Sequence, residues 1–218
     1  MPLYEAVVFD MDGVLADSEP VYFAAMQAVL APFGHEVTEA DQRAVMGHSI
    51  EDTWAYLRTT FSLEGPLDAL ELAYDQELIR RLALLHEPLP GVRELIAVLR
   101  ERGVPIAVAS SSLPSWIEAL LSGLGLSDAF DALVSATMVA HPKPAPDIYV
   151  VAARRLGKAP RHCIAIEDTP TGLASAKAAG ILTVQVRAAS TAWPPQPDAD
   201  VVLETLREFA LKLVTSNR

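Results

Sequence analysis

Four places in the 218-residue sequence gather residue types that could do chemistry. The first is Asp10-Met11-Asp12-Gly13-Val14, where two carboxylates at i and i+2 follow the apolar run Ala6-Val7-Val8-Phe9. Like charges this close are costly to ionise together unless a cation or a shared proton relieves the repulsion. The second is Ser110-Ser111-Ser112, a cluster of hydroxyls and backbone amides ahead of a helical pattern. In the third, His141-Pro142-Lys143-Pro144-Ala145-Pro146-Asp147, prolines fix a lysine in a stiff loop. The fourth is Glu167-Asp168, another carboxylate pair directly after an apolar run. Singly, each has an ordinary explanation: turn chemistry for the aspartates, a helix cap for the serines, a solvated side chain for Lys143. Together they describe a divalent-cation site beside an anion site, and oxygen ligands of this kind suit Mg²⁺.

Such a site needs a fold that brings strand ends together. Continuous apolar runs at 6–9, 106–109, 133–134, 164–166 and 183–186 predict strands covered on both faces, with 201–203 as a short edge strand. Helical patterns lie between them at 92–102, 115–124, 147–156 and 172–179, and Gly103, Gly125, Gly157 and Gly180 mark helix ends. Strand, helix, strand spacing of this kind predicts a parallel sheet with right-handed crossovers. In an open parallel sheet ligands collect at the carboxyl ends of the strands, which is where Asp10-Met11-Asp12, the serine cluster and Glu167-Asp168 fall, with the Lys143 loop between the last two. Residues 17–85 differ, with helical patterns at 21–30, 52–60 and 67–85 and no convincing strand. Pro88 and Pro90-Gly91 then punctuate the chain before the alternation resumes, so the first strand is cut off from the second by a helical insertion.

Composition narrows the classes. Apolar residues make up 51% and charged residues 21%, the balance of a chain that buries a core and not of a disordered, collagenous or coiled-coil one. Acidic residues outnumber basic ones 28 to 17, for a net charge of −11, and no run of Lys or Arg offsets this. Neither a nucleic-acid nor a membrane partner is expected of such a body. The single cysteine, Cys163, excludes an internal disulfide and reads as a buried structural thiol. Glu5 and Asp10 near the start argue against a secretory signal, and no 18 apolar residues run together, so a soluble, cytoplasmic protein is expected. His35, His86 and His162 show no metal-ligand spacing, and Trp54, Trp116 and Trp193 read as core or interface residues. Pro194-Pro195-Gln196-Pro197 reads as a rigid structural loop.

As a set, Asp10-Met11-Asp12-Gly13-Val14, Ser110, Lys143-Pro144-Ala145-Pro146-Asp147 and Glu167-Asp168-Thr169-Pro170-Thr171-Gly172 resemble the four motifs of the haloacid dehalogenase superfamily. The resemblance covers nearly the whole chain. It is greatest to the branch with a helical cap after the first motif, and there to the β-phosphoglucomutase-like sugar-phosphate phosphatases. It implies an α/β, Rossmann-like parallel-sheet core of residues 1–16 and 87–218, with an inserted α-helical cap of residues 17–86. It further implies that Asp10 attacks phosphorus to form an aspartyl-phosphate, and that Asp12 serves as acid and then base. Mg²⁺ would be held by Asp10, the backbone carbonyl of Asp12 and Asp168, with Glu167 in support. Ser110, the amide of Ser111 and Lys143 would bind the transferring phosphoryl group. The first aspartate is shared with dehalogenases; Asp12 is the better sign of phosphate chemistry.

Departures from the β-phosphoglucomutases bear on the substrate. Their cap loop carries a glycine, two residues and an arginine that clamps a second phosphate; here Gly47-His48-Ser49-Ile50 puts isoleucine at that place. Tyr22 stands where a cap histidine is seen in them. These changes favour hydrolysis of a monophosphate over a mutase reaction. Tyr22, His48 and Ser49 are candidate specificity residues, though Tyr22 could simply pack within its helix and His48 could be a solvated loop residue. His141 either lines the site or caps a loop. The expected partner is a small phosphorylated metabolite, a sugar phosphate above all, bound by a monomer or small homo-oligomer. Two other readings stay open: a phosphohexomutase, and a non-catalytic protein that binds phosphometabolites.

Overall fold

Parallel strands as apolar as these persist with helices on both faces, and the computed structural model has that form. It describes residues 4–45, 50–189 and 193–209. Six strands make one sheet: β1 (Ala6–Phe9), β2 (Ile106–Ser110), β3 (Ala132–Ser135), β4 (Cys163–Glu167), β5 (Leu182–Val186) and β6 (Val201–Leu203). All neighbours are parallel, and the spatial order is β3-β2-β1-β4-β5-β6. The chain builds outward from β1 on one side, then returns to build outward on the other. The order therefore reverses between β1 and β4, the position where open α/β sheets bind ligands. Phe9 is in register with Val108 of β2 and Ile166 of β4, so Asp10, Ser110 and Glu167 emerge together at one edge of three adjacent strands.

The runs of β1, β2 and β4 show little polar alternation and instead send different residues to the two faces. Val7, Phe9, Ile106, Val108, Ile164 and Ile166 face one layer, whereas Ala6, Val8, Ala107, Ala109 and Ala165 face the other. The helices bounded within the described residues are α1 (Glu19–Leu30), α2 (Glu39–Val45), α3 (Ile50–Thr60), α4 (Asp68–Leu82), α5 (Val92–Glu101), α6 (Pro114–Gly123), α7 (Asp147–Arg155) and α8 (Pro170–Ala178). The small-residue face receives Ile148, Tyr149, Ala152 and Ala153 of α7, an i, i+1, i+4, i+5 stripe. On the bulky face lie α5, with Val92, Leu95, Ile96 and Leu99 buried, and α6, with Trp116, Ile117, Leu120 and Leu121. Gly103, Gly125, Gly157 and Gly180 all take left-handed φ, between 64° and 75°, as expected of residues that end helices.

No strand lies between Phe9 and Ile106 among the described residues; α1 to α4 fill that stretch. α1 packs on α4, and α4 on α6 of the sheet layer. Leu89 N–H donates to the Leu15 carbonyl (2.9 Å), tying together the two chain crossings that lead into and out of these helices. α2 is not among the sequence expectations, because its Glu-Ala-Asp-Gln-Arg-Ala-Val carries almost no apolar stripe. It is secured instead by a capping arrangement in which Thr38 N–H and Oγ donate to Asp41 Oδ2 (2.8 and 2.7 Å) and Asp41 N–H donates back to Thr38 Oγ (3.3 Å).

Cys163 is fully buried in β4, and burial pushes its thiol up to about 11. Trp54 and Trp116 are core residues, as expected, but Trp193 is 41% exposed and uses its carbonyl to accept from Arg187 Nε (2.9 Å). Buried Gln185 pins the proline loop, donating to the Pro194 carbonyl (3.0 Å) and accepting from Gln196 N–H (2.9 Å). No helix among the described residues is long and apolar enough to cross a membrane.

If the alanine face is packed to its limit, Ala165→Leu overfills it. The expected loss is about 1–3 kcal/mol of unfolding free energy, read as a lower urea midpoint. An unchanged midpoint would show that the layer between β4 and α7 has room to spare.

Candidate active site

Asp10 N–H still bonds across the sheet to the Ile166 carbonyl (2.9 Å), so Asp10 is held as firmly as a strand residue although the chain is about to turn. Gly13, with φ of 75°, makes that turn, and a Cβ on it would lie 2.1 Å from Asp168 Oδ2. The loop after β1 thus packs directly on the loop after β4. A carboxylate oxygen from each of Asp10, Glu167 and Asp168 lies within 4.8 Å of the others, and all three residues are buried.

Lys143 enters this cluster from the loop before α7. Its Nζ donates to Asp10 Oδ1 (2.7 Å), Glu167 Oε1 (2.5 Å) and the Ala109 carbonyl (3.1 Å), which uses all three ammonium protons. The loop is fixed by Ser175 of α8, which donates to the Ala145 carbonyl (2.5 Å), and by Asp147, which accepts from the His141 backbone N–H (3.3 Å). Burial works against the charge of Lys143, but Asp10 and Glu167 outweigh it and hold the ammonium protonated above its usual range.

Glu167 is fully enclosed and fully engaged. Besides Lys143, Oε1 accepts from Tyr149 OH (2.8 Å), and Oε2 accepts from the backbone N–H groups of Asp168 (3.1 Å) and Thr169 (3.2 Å) and from Thr169 Oγ (3.1 Å). Asp168 is the opposite case: its Oδ1 is buried and has no hydrogen-bond partner. Burial raises the Asp168 carboxyl well above the usual range, helped by the charges of Glu167 and Asp10. Asp10 is likewise pushed up to about 8, by burial first and by Glu167 and Asp12 next, with Lys143 opposing. One lysine does not neutralise three buried acids, and the buried Asp168 oxygen without a hydrogen-bond partner is one that a metal ion could use as a ligand. The donor set fits a metal ion that prefers oxygen.

Asp12 stands apart from this cluster. Ser18 Oγ donates to its Oδ1 (2.5 Å) and Ser112 Oγ to its Oδ2 (2.9 Å), so the carboxylate is not a fourth arm of the acid group. Burial raises it above the usual range, with both hydroxyls opposing. Ser110 is fully buried, and its hydroxyl oxygen accepts from Ser112 N–H (3.0 Å). Ser111 is exposed at the start of the same turn. Tyr22 reaches the site: its hydroxyl lies 2.9 Å from Ser112 Oγ. His48 and Ser49 fall outside the described residues. His141 caps a loop, its exposed ring bonded to Asp147 (3.0 Å). Ser18, Ser112 and Tyr149 were not singled out from sequence. Ser112 sat within a recognised hydroxyl cluster, but nothing local told it apart from its two neighbours.

Residues 4–180 match the family model described as haloacid dehalogenase-like hydrolase. This chain belongs to that family. It is 34% identical over 215 residues to hexitol phosphatase B of Escherichia coli (strain K12), covering 95% of both chains. It is 37% identical over 187 residues to the fructose-1-phosphate phosphatase YqaB of the same strain, covering 84% of this chain and 97% of the relative. The structure of CbbY from Rhodobacter sphaeroides in complex with phosphate superposes with a TM-score of 0.81, at 26% identity, over 94% of this chain and 96% of that one. The haloacid dehalogenase-like fold is thus the one that the sequence resemblance implied.

In metal-free protein, Asp10 and Asp168 retain protons that the unfolded chain releases near pH 4. Their contribution is complete below that pH and is lost as pH rises, for Asp10 toward about 8, because the unfolded state then binds fewer protons than the folded one. A cation that binds the ionised form reverses this loss. Thermal melts with chelator or with MgCl₂ should show a metal-induced gain in Tm that is larger at about pH 8 than at about pH 5. Equal gains at both, or none, would count against these acids as the ligands.

Proposed function

We propose that this chain is a phosphatase that hydrolyses small phosphorylated carbohydrates, with Mg²⁺ bound, by way of a phosphoryl group carried on Asp10. The observation that carries this reading is the division of labour among the buried acids. Asp10 sits between Lys143 and the partnerless oxygen-bearing Asp168, whereas Asp12 is held separately by two hydroxyls. Hexitol phosphatase B and the fructose-1-phosphate phosphatase support the substrate class.

Asp10, Asp168 and the backbone carbonyl of Asp12 would hold the ion. Glu167, with both oxygens engaged, would orient Lys143 and the turn at Asp168 and Thr169. When bound, Mg²⁺ offsets the repulsion between a carboxylate nucleophile and a phosphate dianion. Lys143 adds a compact positive charge for the transferring oxygens. Ser110 accepts through its oxygen, leaving its own proton to donate to a phosphoryl oxygen, beside the amide of Ser111. An oxygen of Asp10 attacks phosphorus as the bond to the sugar oxygen breaks, and Asp12 gives that oxygen a proton. The Asp12 carboxylate then takes a proton from water, whose oxygen attacks phosphorus and releases Asp10 and inorganic phosphate. In this reading residues 1–16 and 87–218 are the catalytic core, and residues 17–86 are a cap that covers the leaving group and excludes water.

Phosphate release from hexitol phosphates, hexose monophosphates and nucleotides, each with Mg²⁺ and with chelator, tests the reading. Metal-dependent release concentrated on the carbohydrate phosphates is expected. Asp10→Asn should lower it on the order of a thousandfold or more while the melting temperature stays within a few degrees. Retained turnover in that variant would exclude Asp10 as nucleophile.

A further inference from the structure

The hydrogen bonds around Asp12 extend beyond the two serines that touch it. While Asp12 is ionised, Ser112 gives its one hydroxyl proton to Asp12 Oδ2, and the 2.9 Å contact between Ser112 Oγ and Tyr22 OH is then a donation from the tyrosine, whose hydroxyl also favours the ionised form of Asp12. A directed chain therefore runs from Tyr22 to Ser112 to Asp12, joining residues 90 and 100 positions apart in sequence. Both ends of the serine are fixed: Ser135 donates to its backbone carbonyl (2.6 Å), and its N–H is held by Ser110.

Tyr22 is itself placed by aromatic packing. Its ring meets Trp116 of α6 edge-on, with centroids 5.8 Å apart, and Tyr74 of α4 meets the same indole edge-on at 6.1 Å. Trp116 Nε1 donates to Asp75, also on α4 (2.5 Å). The indole is thus gripped from two helices of the insertion, and the grip leaves the Tyr22 hydroxyl at Ser112.

We propose that Tyr22 is a positioning residue for Asp12, acting through Ser112. With Tyr22 donating to it, the Ser112 hydroxyl can satisfy its own proton only on Asp12. Ser18 occupies the other carboxylate oxygen, so a proton on Asp12 is turned away from both serines and toward the leaving group. Tyr22 touches neither phosphorus nor leaving oxygen in this scheme. The proposal rests on the phosphatase reading above, in which Asp12 protonates the departing alcohol.

Two substrates separate this role from a structural one. A hexitol phosphate releases an alkoxide that needs a proton, whereas p-nitrophenyl phosphate releases a stable phenolate that does not. In single turnovers, which read phosphoryl transfer to Asp10 apart from the later attack of water, Tyr22→Phe and Ser112→Ala should release the hexitol about tenfold more slowly than wild type, the size of one lost charge-assisted hydrogen bond. Both should release p-nitrophenol within about twofold of the wild-type single-turnover rate, and Ser112→Thr should restore most of the loss on the hexitol phosphate. Asp12→Asn should show the same contrast in this first step, larger. Equal losses of the single-turnover rate on both substrates, or no loss on either, with normal thermal melts, would overturn the proposal. If wild type released phosphate from neither substrate, the phosphatase reading would fail and this role with it. A wild type active on both, with a contrast in Asp12→Asn alone, would leave the phosphatase reading standing and remove Tyr22 from it.

Discussion

One buried ammonium group governs the site. Lys143 Nζ bridges Asp10 and Glu167 at 2.7 and 2.5 Å, in a place from which water is almost wholly excluded. Burying a charge is expensive unless it is paired and hydrogen-bonded, and here the pairing is complete on the lysine and on Glu167 but not on the other acids. The neutrality that remains missing is what a divalent cation would supply. In the proposed reading, Lys143 among these carboxylates is half of a site whose other half would be a metal ion.

That arrangement depends on where the sheet reverses direction. With β1 flanked by β2 and β4, the residues after three strands share one edge, and the loop before α7 brings Lys143 over them. The close fit is enforced by absent side chains. A Cβ at Gly13 would collide with Asp168, and one at Gly172 would lie 1.8 Å from Glu167 Oε1. The alanines on one face of β2 and β4 let α7 approach closely enough for Tyr149 to reach Glu167. Chemistry and packing are in this sense the same constraint.

Much of this was legible in the sequence because it is local. Apolar runs followed at once by acids or hydroxyls marked the strand ends, and glycines marked the helix ends. The division of residues between the two faces of β1, β2 and β4 was hidden because both sets are apolar. α2 escaped notice because a polar helix held by a Thr38–Asp41 cap shows no periodic stripe. Ser112 and Tyr149 could not be singled out, since their meaning lies in partners 100 and 18 positions away that only the fold brings near. For Tyr22 the sequence left a choice between helix packing and specificity. The structure gives it ring packing and a hydroxyl contact at once.

The central claim is that Asp10 becomes covalently phosphorylated. It is tested most directly by mixing Mg²⁺-loaded protein with a hexitol phosphate under single-turnover conditions, quenching in acid and reducing with borohydride, which converts an acyl phosphate to homoserine. Peptide mass spectrometry should then find homoserine at position 10 and at no other carboxylate. Release of phosphate with Asp10 unreduced throughout the turnover, or reduction at Asp12 or Asp168 instead, would contradict the account.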